Sequence, residues 1–101
     1  MVRVDWAKPA LADLREIYEF IARDSSRYAQ LTVEKITDAT DSLARFPQLG
    51  EVLPEFPSSA YRQIVVGNYR LIYREAPGAN RVLVIAIVHA SRKIEPILED
   101  R

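Results

Sequence analysis

The sequence predicts an α+β fold: an N-terminal strand, an antiparallel helical hairpin, then a three-stranded antiparallel meander. Residues 9–45 hold two apolar stripes at helical spacing, whereas residues 2–6 and 61–88 alternate or run apolar as strands do. Proline, glycine and asparagine fall at the joints between these segments. The 101 residues suggest one domain, 1–101. A chain of this size buries roughly two thirds of its unfolded surface on folding, enough for a core without disulfides or metals.

Val2, Val4 and Trp6 alternate with Arg3 and Asp5, the period of a short half-buried strand. Trp6 is expected to pack at the sheet edge. Pro9 suits the start of a helix, where its missing N–H costs nothing. Ala10, Leu11, Leu14, Ile17, Tyr18 and Ile21 then recur at helical spacing, predicting an amphipathic helix from Pro9 to Arg23. Asp24-Ser25-Ser26 stops it and caps a second helix. That helix carries Ala29, Val33, Ile36, Thr40 and Leu43 on one stripe and ends at Phe46-Pro47. Pro47, Gly50, Pro54 and Pro57 make residues 47–60 a surface loop. Tyr61–Val65 and Tyr69–Arg74 read as strands joined by a tight Gly67-Asn68 turn. Pro77-Gly78-Ala79-Asn80 is a second turn. Val82–Val88 is nearly all apolar, as expected of a central strand covered on both faces. After Lys93, Ile97 and Leu98 are placed either on the core, as a last turn or edge strand, or in a frayed tail.

Composition excludes several classes. With no cysteine there is no disulfide, thiolate metal site or cysteine nucleophile. No His/Asp/Glu cluster has metal-ligand spacing, and no cofactor is expected. No signal-peptide pattern is present, and the longest apolar run is far short of the roughly 20 residues of a membrane span. The expected location is the cytoplasm, with no membrane partner.

Net charge is zero but unevenly placed: residues 1–60 carry −3, residues 61–93 carry +5 and residues 94–101 carry −2. The basic segment points at an anionic partner, or equally at a solvated strand face. Its cations are Arg62, Arg70, Arg74, Arg81, Arg92 and Lys93, the candidate partner-binding patch. Alternation puts Tyr69, Leu71 and Tyr73 on one face of their strand and Arg70, Ile72 and Arg74 on the other. With the first face under the helices, Arg70 and Arg74 are expected on an uncovered face, joined by Arg62 if the register allows. His89 and Arg92 are expected at the exit of the central strand beside them. Arginine there suits phosphate or carboxylate through its planar fork of donors. His89 also reads as a structural histidine bonded to a backbone group, and Tyr61, Tyr69 and Tyr73 as core. Asp38 and Asp41 read as solvated.

Tyr61-Arg62-Gln63-Ile64, Gly67-Asn68-Tyr69-Arg70-Leu71-Ile72-Tyr73-Arg74, and Val84–His89 with Arg92 resemble the C-terminal signature of the RelE/ParE toxin superfamily. Ala10–Leu14, Ile17-Tyr18, Ile21-Ala22 and Leu43–Gly50 are similar to its upstream pattern, so the resemblance covers nearly the whole chain. It implies a curved sheet against a helical hairpin, and the toxin half of a type II toxin–antitoxin, plasmid-stabilisation pair. It also implies a cognate antitoxin partner that wraps the toxin in a hetero-oligomer. Two targets are implied: ParE-like members poison DNA gyrase, and RelE-like members cut mRNA on the ribosome.

A metal-free ribonuclease needs a base, cationic clamps and an acid. The resemblance assigns Arg70, His89 and Arg92 to such roles, with Glu51 and Glu55 as candidate bases in the loop. The chain departs from the RelE-like pattern: no tyrosine follows Tyr73, no lysine stands before Arg62 in that segment, and the net charge is not basic. These departures favour a ParE-like gyrase inhibitor over an mRNA endonuclease. A non-toxic relic that only binds antitoxin is the remaining alternative.

Overall fold

The computed structural model describes every residue except Pro77 and Ala79. The chain runs β1 (Arg3–Trp6), α1 (Lys8–Ala22), α2 (Ser26–Arg45), β2 (Glu51–Val52), β3 (Arg62–Val66), β4 (Tyr69–Ala76), β5 (Arg81–His89) and α3 (Glu95–Glu99). The strands form one open sheet in the order β1-β5-β4-β3-β2. β1 lies parallel to β5, and the other neighbours are antiparallel. The helical hairpin carries the chain from β1 at one edge to β2 at the other, and the β2–β5 meander then returns the chain so that β5 lies parallel to β1.

Local chemistry explains the boundaries. Pro9 stands in the first turn of α1. Ser25 caps α2 by accepting the Tyr28 N–H at 3.1 Å. Val66 pairs with Tyr69, so Gly67-Asn68 is a two-residue turn; Gly67 has φ 58° and Asn68 does not go positive, the type II′ pattern. Of the turn expected over 77–80, Pro77 and Ala79 lie outside the described residues. Gly78 and Asn80 both take positive φ.

One core lies between the sheet and the helical hairpin: Ala10, Ile36, Leu43, Leu71, Tyr73, Val82, Val84 and Ile87, with Val2, Val4 and Trp6 against it. Trp6 therefore packs on the edge strand as expected. Of the expected α1 stripe, Leu14, Ile17 and Ile21 are half-buried, but Leu11 and Tyr18 are exposed. Each follows a stripe residue by one position, about 100° round the helix, and so turns off the contact face.

Two expectations are corrected. Residues 47–60 are not all loop, because Glu51 and Val52 pair with Gln63 and Arg62 as a fifth strand. The second sheet face is not uncovered. Leu53, Ile72, Ile85, Ala86, Val88, Ile94 and Leu98 form a second core there, with Phe56, Tyr61 and Ile97 packed on it. The loop and α3 lie over this face because Ile72 of β4 and Ile85, Ala86 and Val88 of β5 are apolar there and need a cover. The tail after Lys93 is thus a short helix docked by Ile94 and Leu98.

A bulge in β5 decides which face its last residues see. Ile72 opposes Ala86 while Tyr73 opposes Val84, leaving Ile85 as the extra residue. Ile85 and Ala86 both join the second core, and the alternation then resumes reversed: Ile87 faces the helices, Val88 the second core.

Candidate functional site

The structure separates the expected constellation onto two faces. Arg70 opposes Val88, on the face of the second core. His89 opposes Tyr69, on the helix face, and their rings meet edge to face with centroids 5.4 Å apart. Arg92 lines the same side as His89. Without the β5 bulge His89 would share a face with Arg70; the extra residue reverses it.

Arg70 is not the exposed arginine that alternation alone suggests. It is 9% exposed. Its two terminal nitrogens donate to the Glu55 carboxylate at 2.6 and 2.7 Å, and Nε donates to the Gln63 Oε1 at 2.6 Å. Gln63 in turn donates to Glu51 at 2.6 Å. The hydrogen bond from Arg70 holds the Glu55 carboxyl below the usual range, while Glu55 raises Arg70. Both directions describe one tight pair. Its geometry is the fork-on-carboxylate match that Arg makes and Lys does not. The candidate bases Glu51 and Glu55, unplaceable from sequence, therefore both gather at Arg70.

A clamp on Gly50 brings them there. The Gly50 N–H donates to the buried Tyr73 hydroxyl at 2.8 Å, and Arg62 Nη1 donates to the Gly50 carbonyl at 2.7 Å. A Cβ at Gly50 would lie 2.5 Å from the Gln63 carbonyl oxygen and 2.8 Å from the Tyr73 ring, so only glycine fits. Burial raises the Tyr73 hydroxyl above its ordinary pKa. This clamp starts β2 and sets Glu51 beside Gln63.

The six-residue basic patch is dispersed. Arg62 opposes Tyr73 and serves Gly50. Arg70 is neutralised by Glu55, and Arg81, at the far end of β5, pairs with Asp5 at 3.3 Å. Arg74, Arg92 and Lys93 enter no ion pair among the described residues. Arg74 stands at the other end of β4 from Arg70, opposite Leu83. Charge summed along the chain missed this, since the pairing acids Asp5 and Glu55 lie outside the basic segment 61–93.

On the helix face, an open groove of about 610 Å³ runs between α1 and the end of β5. Ile17, Phe20 and Tyr69 give it an apolar lining, and Arg23, His89 and Arg92 give it cations. Asp13, Glu16 and Glu19 add acids to the same rim. Phe20 is 66% exposed, with the Arg23 guanidinium 5.9 Å from its ring centre. His89 Nδ1 accepts the Ser91 N–H at 3.1 Å and meets the Ser91 hydroxyl at 2.7 Å, the backbone-bonded arrangement expected of a structural histidine. Apolar floor with mixed charge suits an amphipathic protein segment better than a run of phosphates. No helix is long and apolar enough to cross a membrane among the described residues.

Residues 4–94 match the family described as ParE toxin of type II toxin-antitoxin system, parDE. Toxin RelE2 of Caulobacter vibrioides is 34% identical over 92 residues, covering 91% of this chain and 99% of that protein. The chromosomal ParDE TA system from P. aeruginosa has a TM-score of 0.74 at 18% identity, covering 90% of this chain and 98% of that one. The intact E. coli RelBE toxin–antitoxin complex has a TM-score of 0.65 at 18% identity, covering 91% and 100%. These two structural likenesses speak for the fold. The chain belongs to the ParE toxin family of type II toxin–antitoxin systems, within the RelE/ParE superfamily.

Proposed function

We propose that this chain, acting as one domain in the cytoplasm, stops growth by binding a protein target rather than by cutting RNA. The target is DNA gyrase, and a cognate antitoxin neutralises the toxin. The observation that carries this is the separation of Arg70 from His89 and Arg92. A nuclease site needs its base, clamp and acid around one phosphate. Here the Arg70 guanidinium is held by Glu55 and Gln63 on one face, and His89 and Arg92 stand on the other. The groove beside α1 supports a protein partner, through an apolar floor and exposed Phe20. The likeness to toxins of ParDE and RelBE systems supports an antitoxin that lays an amphipathic helix or strand over the toxin.

The test is a gyrase supercoiling and DNA-cleavage assay with the purified chain, with and without antitoxin. Inhibition reversed by antitoxin is the expected result. No effect at toxin excess would overturn the reading. One observation favours the RelE-like alternative: Glu51 and Glu55 both collect at Arg70, a base-and-cation pairing that a ribonuclease uses. Mapping transcript ends after induction distinguishes the two, since a gyrase poison leaves messages intact. Expression without antitoxin that leaves growth unchanged would favour the non-toxic relic.

A further inference from the structure

β1 covers only the first half of β5. Its register ends at Trp6↔Val84, and the last backbone bond on that side runs from Ala7 N–H to the Val84 carbonyl at 2.9 Å. β5 continues to His89 with no strand beside it there among the described residues. The segment Ile85-Ala86-Ile87-Val88 would therefore present an open, uncharged, apolar edge, the kind that templates pairing with another chain.

Two side chains occupy that edge. Asp13 of α1 accepts the Ile87 N–H through Oδ2 at 3.0 Å. Arg101, just beyond α3, donates from Nη1 to the Ile85 carbonyl at 3.1 Å. The guanidinium also holds both carboxylate oxygens of Asp13, at 2.5 and 2.9 Å. The side chains are only 16% and 18% exposed. One acceptor and one donor, two residues apart and locked to each other, reproduce what a neighbouring strand would offer those two backbone groups. A plain surface ion pair has no such backbone partners.

We propose that the Asp13–Arg101 pair is an edge guard, which completes β5 where β1 stops and keeps Ile85–Val88 from pairing with a second copy of this chain. A second copy is the natural intruder, because an antiparallel pair of identical edges is self-complementary about a two-fold axis. The guard also ties the end of α3 to α1, so that the helix stays over the second core.

The experiment compares the full chain with its Asp13→Ala and Asp13→Asn variants, by residue-resolved amide hydrogen exchange and sedimentation over a concentration series. In Asp13→Ala, which removes the acceptor of the Ile87 N–H and the carboxylate that holds Arg101, exchange at Ile87 should rise about tenfold, the factor that one ordinary hydrogen bond sustains, while Val82 and Val84 stay protected. Its weight-average mass should climb with concentration above that of the parent. Asp13→Asn keeps an acceptor for the Ile87 N–H and should retain most of that protection. Unchanged Ile87 exchange in Asp13→Ala would overturn the proposal. So would faster exchange with a mass equal to the parent's at every concentration, or an Asp13→Asn variant as unprotected as Asp13→Ala.

Discussion

Arg70→Ala removes three charge-assisted hydrogen bonds at once, two to Glu55 and one to Gln63. Each such bond contributes about 1.5–3 kcal/mol net, but their sum overstates the effect. The Arg70 side chain is 11% exposed and that of Glu55 28%, so water recovers part of the released carboxylate. Gln63 keeps its bond to Glu51. Breaking a fully buried pair costs about 3–5 kcal/mol, and with this water access we expect about 2–4 kcal/mol. For a domain of this size that lowers Tm by about 10–25 °C. Urea unfolding followed by far-UV circular dichroism measures it, with an unchanged m value. An Arg70→Ala, Glu55→Ala double-mutant cycle should return a coupling of about 1–3 kcal/mol. The pH dependence has a definite sign. Arg70 holds the folded Glu55 carboxyl below its unfolded value of about 4.3, so its contribution is complete above that value and is lost as pH falls through the folded one. The parent should weaken on acidification below about pH 5, and Glu55→Gln should lack that portion. An Arg70→Ala variant within about 0.5 kcal/mol of the parent, with no coupling to Glu55, would refute this account and restore Arg70 as an exposed ligand-binding arginine.

Four further outcomes follow from the same geometry. Gly50→Ala should destabilise by about 1–3 kcal/mol in urea titration, because a Cβ meets the Gln63 backbone oxygen and cannot be relieved by a rotamer change. Tyr73→Phe should cost about 1–3 kcal/mol, since it leaves the Gly50 N–H without its acceptor. His89→Ala should cost under about 1 kcal/mol and leave growth arrest intact when the variant is expressed without antitoxin; loss of arrest in a folded variant would revive a catalytic role. The double variant Arg92→Ala, Lys93→Ala should unfold within about 0.5 kcal/mol of the parent yet bind its target more weakly, with a smaller salt dependence.

Much of the fold is legible in the chain because hydrophobic period and turn chemistry are local signals. The alternation of Val2, Val4 and Trp6, the stripe from Ala29 to Leu43, the Ser25 cap and the Gly67-Asn68 turn each depend on neighbours within a few residues, and each appears in the structure. Parity likewise separates Tyr69, Leu71 and Tyr73 from Arg70 and Ile72. The sites depend on distant partners. Glu55 lies 15 residues from Arg70, and Asp13 lies 88 from Arg101, so no periodicity announces either pair. The single inserted residue at Ile85 leaves no mark in an apolar run, yet it reverses the face that His89 sees. Composition and period thus determine which segments become strand or helix and which side of each seeks a core. The covered central strand was legible in the apolar run Val82–Val88, but only the tertiary structure decided that the cover extends over the Arg70 face and that Arg70 is held by Glu55. It also dispersed the basic segment, because charges and hydrogen bonds are settled by what folding brings within a few ångströms, at any separation along the chain.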